Sequence, residues 1–158
     1  ISSLYSLAYA IKILFKNVMK NKTDNEITDF TVYPLEGIWE KGDEKALDKS
    51  KLKYSLMIKQ PNFITQDIFI KAFENVKKKE TNSLYDEISF EEIKEGKAIQ
   101  ILHVGSYDDE PKSFERLNEF ARKLDLRRMG DFHKEIYLSN KNRTSEEKQK
   151  TILRYSVK

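Results

Sequence analysis

The chain has 158 residues, 39% of them hydrophobic and 35% charged, which is typical of one globular domain with a single core. Its 29 lysines and arginines nearly balance 26 aspartates and glutamates, and the formal charge of +3 argues against direct nucleic-acid binding. The sequence contains no cysteine, which excludes disulfides, thiolate nucleophiles and cysteine-ligated zinc.

Further function classes are disfavoured by what the sequence lacks. It has two histidines and no HExxH spacing, so we expect neither a metal site nor a cofactor. It has no apolar run of the length needed to span a membrane, and no signal-peptide pattern. We therefore expect a cytoplasmic bacterial protein with no membrane contact.

The first half of the chain predicts two helices and two strands. Apolar residues at spacings of three and four predict a helix over residues 4–18, with Ser3 as its N-cap. The following elements are a strand at 30–39, a charged turn at 40–51, a strand at 53–59 and a helix at 66–79. Pro34 indicates an edge or a bulge in the first strand, and Thr65 is placed to cap the second helix.

The second half predicts one helix among four strands. The elements are strands at 87–92 and 97–104 joined by a turn at Glu95-Gly96, a loop at 105–111, a helix at 112–124, a strand at 132–138, a charged loop at 139–149 and a strand at 151–157. The acids and Pro111 at the start of the helix suit a helix N-terminus. His103 lies in an apolar strand, where a structural histidine is expected.

The order of elements indicates an internal repeat. The elements at 97–104, 112–124, 132–138 and 151–157 have the order strand, helix, strand, strand, and those at 4–18, 30–39 and 53–59 have the order helix, strand, strand. We predict a single domain over residues 1–158 with two repeats, at about 1–64 and 87–158. Aligning 35–39 with 134–138 makes Glu36 equivalent to Glu135. The first repeat lacks its leading strand, which we expect upstream of Ile1.

Five blocks of sequence, in order, carry a family resemblance. They are LYSLAYAIK at 4–12, YPLEGIW at 33–39, MIKQPNF at 57–63, LHVGSYDDEP at 102–111 and KEIYLS at 134–139. Together they resemble the stand-alone branch of the GyrI-like family. The resemblance implies an α+β fold of two tandem strand-helix-strand-strand modules with pseudo-twofold symmetry and a central ligand groove.

The same resemblance implies functions for the groove. The module serves as the effector-binding domain of some multidrug-sensing transcription regulators. In the stand-alone branch it binds, and in some cases hydrolyses, cyclopropane-bearing DNA-alkylating natural products. No helix-turn-helix is recognisable in the 158 residues, which disfavours a complete regulator unless a DNA-binding segment lies upstream.

The predicted site centres on the last-but-one strand. Alternation there puts His133, Glu135 and Tyr137 on one face, and a carboxylate among aromatic rings suits a cation or a polarised electrophile. The resemblance places the ligand-facing acid in this Glu-Ile-Tyr stretch. The other candidate ligand-binding residues are Glu36, Trp39, Met57 and Tyr107. For three of these residues a structural role is an alternative to ligand binding: Glu36 is equally well explained as a solvated residue, and Trp39 and Met57 as residues of the hydrophobic core.

Three functions follow from these residues. The first is binding without chemistry, as in drug sequestration or effector sensing. The second is hydrolysis, in which Glu135 activates a water and Tyr137 or Tyr107 donates a hydrogen bond to developing negative charge. The third is a protein-interaction module similar to the gyrase inhibitors. No Ser-His-Asp or Cys-His arrangement is visible, so covalent acyl chemistry is disfavoured.

Overall fold

The computed structural model of the protein describes residues 1–23, 26–40 and 54–158, and these residues form an α+β structure with an antiparallel sheet. In chain order the helices and strands are α1 (Ser2–Val18), β1 (Leu35–Glu40), β2 (Tyr54–Ile58), α2 (Gln66–Lys79), β3 (Ala98–Val104), α3 (Glu110–Lys123), β4 (Phe132–Tyr137) and β5 (Lys150–Ser156). The charged turn expected at 40–51 lies almost wholly outside the described residues. No helix in the described ranges is long and apolar enough to cross a membrane.

The chain divides into two compact units, each of which is discontinuous in sequence. The helical unit comprises Ile1–Tyr33 and Ile58–Glu92, and the sheet unit comprises Pro34–Met57 and Ile93–Lys158. The predicted single domain, with repeats at about 1–64 and 87–158, stays a prediction.

In the helical unit, α1 packs against α2 around an apolar core. The core consists of Leu7, Ile11, Phe15, Ile64, Phe69, Ala72, Val76 and Tyr85. Thr65 caps α2 as predicted, because its hydroxyl accepts from the Ile68 backbone N–H at 3.4 Å. Ser3 is not the N-cap of α1: the helix begins at Ser2, two residues earlier than predicted, and its N-cap is Ile1. The buried Ser3 hydroxyl instead accepts from Asn82 Nδ2 at 3.2 Å.

The strand predicted at 87–92 is wrong. A 3₁₀ turn covers Ser83–Glu87, and the following residues have no strand pairing. Ile88 and Phe90 are instead packed against the helical core, with the Phe90 ring stacked on Phe69 at 4.9 Å. Alternating burial here reflects an extended segment lying against helices, and a period of two does not distinguish that from a paired strand.

The sheet unit contains the strand order β2-β1-β4-β5-β3. β1 pairs with β4, β4 with β5 and β5 with β3, all antiparallel. The first strand begins at Leu35, five residues later than predicted, because Pro34 has no N–H to contribute to a ladder. The remaining strand predictions agree with the structure to within one or two residues.

Helix α3 packs on β3 and closes a second core. That core consists of Ile99, Leu117, Ala121, Tyr155 and Val157. His103 is buried beneath the helix, where its Nδ1 lies 2.8 Å from Ser113 Oγ and its Nε2 lies 2.8 Å from the Ser106 carbonyl oxygen. Both ring nitrogens have partners, which confirms the structural role predicted for His103.

Candidate functional site

The candidate site lies on the face of the sheet that also carries α3, where β1 and β4 pair. Alternation along β4 puts His133, Glu135 and Tyr137 on this face. Trp39 of β1 is directly opposite His133, and opposed residues of an antiparallel pair share a face. Four predicted site residues therefore come together on two adjacent strands, where a regular backbone fixes their directions.

A chain of hydrogen bonds joins three of these side chains. Trp39 Nε1 donates to the Tyr137 hydroxyl oxygen at 2.9 Å, and that hydroxyl donates to Glu135 Oε2 at 2.7 Å. A phenol has one proton, so accepting from the indole leaves that proton to point at the carboxylate. Glu135 is only 7% exposed, and a buried carboxylate needs such donors to be tolerated.

The second oxygen of the carboxylate also has a partner. His133 Nε2 lies 2.9 Å from Glu135 Oε1, and since an ionised carboxylate only accepts, the proton of this contact is on Nε2. Phe114 of α3 meets the His133 ring edge-on, with centroids 4.8 Å apart. The imidazole is thus packed in one orientation, and Glu135 is held from two sides.

Aromatic surface extends from this carboxylate toward the sheet edge. The rings of Trp39 and Tyr54 stack with centroids 5.0 Å apart and planes 28° apart. A Cβ on Gly37 would lie 2.9 Å from Trp39 Nε1 and 3.1 Å from the Tyr137 hydroxyl. Glycine at position 37 therefore leaves the room in which the indole and the phenol form their hydrogen bond.

Tyr137 is held in its protonated form. Burial is the largest cause of its strongly raised pKa, followed by the negative charge of Glu135 and the hydrogen bond to it, while the bond from Trp39 lowers the pKa. Its hydroxyl is consequently a hydrogen-bond donor throughout the physiological pH range.

Tyr107 lies near the same carboxylate, in the short turn before α3. Burial raises its pKa most, the charges of Glu135 and Glu110 raise it further, and a hydrogen bond with Thr151 lowers it. Thr151 is directly opposite Tyr137 on β5, so this hydrogen bond joins Tyr107 to the site. The side chain supplies a second protonated phenol.

The structure does not bring Glu36 to this site. Glu36 is opposite Ile136, whereas Gly37 is opposite Glu135, so the two carboxylates face opposite sides of the sheet. Glu36 Oε2 is instead 3.2 Å from Lys134 Nζ. The predicted pair of acids in one groove is wrong, because β1 pairs with β4 in a register that puts the two carboxylates on opposite faces, and an alignment of the two repeats does not contain that register.

Met57 also lies on the opposite face. Leu56 Cδ2 is 3.6 Å from the position of a Cβ on Gly37, which puts Leu56 on the face of Glu135. Met57 is the next residue of β2 and points the other way. Its prediction as a ligand-binding residue of the Glu135 site is corrected accordingly.

Several residues of the site were missed from the sequence. Tyr54 could have been found from the alternation of β2, since Tyr54 and Leu56 share a face. Phe114 lies on the helix predicted at 112–124, and its contact with His133 depends on how that helix packs. Gly37 is important because it allows the close approach of two polar side chains, Trp39 and Tyr137.

The arrangement offers one fixed carboxylate, two protonated phenols and stacked aromatic rings. Such a site can stabilise a positive charge, stack on a planar molecule, or accept a proton from a bound water. Among the described residues, no three Cys, His, Asp or Glu side chains cluster so that they could hold a metal ion.

Comparison with known proteins gives a family and related structures. The GyrI-like small molecule binding domain matches residues 3–156. Three solved structures from Listeria innocua each match 99% of this chain: an uncharacterized conserved protein (31% identity, TM-score 0.83, 78% of its own chain covered), a hydrolase (30%, 0.82, 77%) and a further hydrolase structure (30%, 0.84, 77%). No curated protein matches significantly.

Proposed function

Because the chain belongs to the GyrI-like small molecule binding domain family, we propose that the face carrying Glu135 binds small planar molecules that are cationic or electrophilic. The observation that carries this proposal is the Glu135 carboxylate, fixed by Tyr137 and His133 beside the rings of Trp39 and Tyr54. A carboxylate attracts positive charge, and aromatic faces contribute stacking and cation–π interactions that tolerate varied ligand shapes.

The proposal extends to hydrolysis of a cyclopropane joined to a conjugated carbonyl system. A water that donates a hydrogen bond to Glu135 attacks a ring carbon, and a new C–O bond forms as one cyclopropane C–C bond breaks. The released electron pair moves through the conjugated system to the carbonyl oxygen, which takes up a proton. Glu135 accepts the proton of the water and later releases it, so the net change is addition of one water with no oxidation or reduction.

The two phenols take different parts in this scheme. The Tyr137 proton is directed at Glu135 Oε2, so Tyr137 positions the carboxylate that acts as the base. The protonated hydroxyl of Tyr107 is the donor for negative charge developing on the carbonyl oxygen. The hydrolases among the similar solved structures support a catalytic role for a chain of this fold.

A second candidate is binding without turnover, as in sequestration or effector sensing. One observation favours it: both oxygens of Glu135 already accept from protein donors, at 2.7 and 2.9 Å. A carboxylate whose oxygens both accept from protein donors has fewer lone pairs left for a water, while its charge still attracts a cation. The two candidates share every residue, so only measurement of turnover separates them.

The test uses purified protein and a spirocyclopropyl cyclohexadienone. Turnover is followed by loss of the dienone absorbance, and mass spectrometry in ¹⁸O-water detects the added oxygen. We expect loss of turnover in Glu135→Gln and unchanged turnover in the matched control Glu119→Gln, since Glu119 is exposed on α3. Binding of the compound by the wild-type protein with no ¹⁸O incorporation would establish the second candidate. Turnover unaffected by Glu135→Gln would refute the role of this carboxylate.

A further inference from the structure

The opposite face of the sheet carries a row of polar side chains that the proposed function does not use. Ile38, Lys134, Arg154 and Gln100 are cross-strand neighbours on β1, β4, β5 and β3. Two positive charges therefore lie directly opposite each other, an arrangement that is unfavourable unless an anion lies between them.

The anion is the carboxylate of Glu95, which precedes β3. Its Oε1 is 2.5 Å from Lys134 Nζ and its Oε2 is 3.0 Å from Arg154 Nη1. Arg154 is oriented further by Gln100 Oε1, which accepts from its Nε at 2.9 Å and from its Nη2 at 2.7 Å. Lys134 and Arg154 are thus spaced and oriented to hold one carboxylate in a two-sided clamp.

The two cationic side chains of the clamp are more buried than the carboxylate of Glu95. Lys134 is 12% exposed and Arg154 is 24% exposed, whereas Glu95 is 34% exposed. Lys134 and Arg154 lie on strands of the sheet, while the Glu95 carboxylate reaches them from the segment that precedes β3. Burial alone would raise the pKa of Glu95, but the hydrogen bonds and charges of Lys134 and Arg154 outweigh it and lower the pKa.

A groove of about 380 Å³ lies over this clamp, within the sheet unit. Its apolar walls include Ile38, Ile93, Met129 and Phe132. Met129, Phe132 and Ile93 are 45%, 42% and 55% exposed, so apolar surface is accessible beside the charged floor. A volume of this size is at the lower end of the range for small-molecule sites.

We propose that this groove is a second ligand site, for a small amphipathic molecule with one carboxylate and an aromatic or aliphatic body. The ligand carboxylate takes the place of Glu95 between Lys134 and Arg154, and its body lies against the apolar walls. Lys94 also lines the groove, so three cations face the carboxylates of Glu95 and Glu36, and one positive charge is in excess. The excess favours an anion, in contrast to the acidic site around Glu135.

The test is calorimetric titration with β-naphthoate and with its neutral counterpart β-naphthamide. Glu95→Gln removes the internal competitor and a negative charge, so it should strengthen β-naphthoate binding about three- to tenfold and leave β-naphthamide unchanged. Lys94→Met, at the exposed rim, should weaken β-naphthoate binding. The paired variant Glu36→Gln/Lys134→Met removes one arm of the clamp without leaving Glu36 unpaired, and it should weaken β-naphthoate binding more.

Variants on the two faces separate this site from the first one. Glu135→Gln should leave β-naphthoate binding unchanged. If Glu135→Gln strengthens it and Glu95→Gln does not, the anion binds on the other face and the proposal is overturned. Equal affinities for β-naphthoate and β-naphthamide, or no binding of β-naphthoate to the wild-type protein, would overturn it as well.

Discussion

Replacing Tyr137 with Phe removes one oxygen atom that takes part in two hydrogen bonds. The hydroxyl donates to Glu135 Oε2 at 2.7 Å and accepts from Trp39 Nε1 at 2.9 Å. The ring of Phe fills the same volume, so packing is retained and the change isolates the hydrogen bonds. We expect the variant to be folded, less stable, and altered in the environment of Trp39.

The size of the stability loss in Tyr137→Phe follows from the two hydrogen-bond partners of the hydroxyl, Glu135 and Trp39. A hydrogen bond to a charged group contributes about 1.5–3 kcal/mol and a neutral one about 0.5–1.5 kcal/mol. Glu135 is 7% exposed, so its Oε2 would lose its donor with little access to water, whereas the half-buried Trp39 N–H can be hydrated. The expected loss in the free energy of unfolding is therefore about 2 kcal/mol, most of it from the Glu135 contact.

The assay is urea unfolding followed by circular dichroism and by tryptophan fluorescence. Trp39 is the single tryptophan of the sequence, so its emission reports on this site alone. Hydration of the indole N–H should shift the emission to longer wavelength. The matched control is Tyr54→Phe, because Tyr54 is 57% exposed and its ring would still stack on Trp39; its stability should change by less than about 0.5 kcal/mol. Wild-type stability and emission in Tyr137→Phe would refute the hydrogen-bond chain.

Three further predictions concern the same site. Gly37→Ala should shift Trp39 emission and weaken binding of a planar dye, because the new Cβ would lie 2.9 Å from Nε1; unchanged emission and affinity would contradict this. The pKa of Tyr137 is raised in the folded state above the ordinary value of 10.0. The contribution of its hydroxyl to stability is therefore complete below pH 10 and is lost as pH rises through the folded-state pKa. Above pH 10 the urea midpoint should fall less steeply with pH in Tyr137→Phe than in the wild-type protein. Glu135→Gln should weaken binding of a cationic planar dye by about 1–3 kcal/mol and affect a neutral dye of similar shape much less, and equal losses would mean that Glu135 acts through pocket shape.

Much of the sheet unit and its site could be predicted from alternation within single strands. His133, Glu135 and Tyr137 lie on one strand, so their common face follows from a period of two whatever the strand pairs with. The family and the α+β fold predicted from five sequence blocks are confirmed by the match over residues 3–156 and by structures covering 99% of the chain.

The predictions that were wrong depended on how one element of the structure pairs with or packs against another. The face of Glu36 relative to Glu135 is set by the register of β1 against β4, which a sequence alignment of the two repeats does not contain. Residues 87–92 alternate as a strand would, but Ile88 and Phe90 face helices. Long-range packing decides the face of Glu36 and the pairing of residues 87–92, and it cannot be predicted from local spacing or propensity.

A single strand supplies the central charge of both faces. Lys134 and Glu135 are adjacent on β4, so alternation directs a cation to one side of the sheet and a carboxylate to the other. Each charge has its partners on its own face: His133 and Tyr137 for Glu135, and Glu36 and Glu95 for Lys134. Because neither face depends on the other for compensation, Glu135→Gln and Glu95→Gln should act separately. The first should weaken binding of a cationic dye and the second should strengthen binding of an aryl carboxylate. In the double variant each effect should keep the size that it has in the single variant.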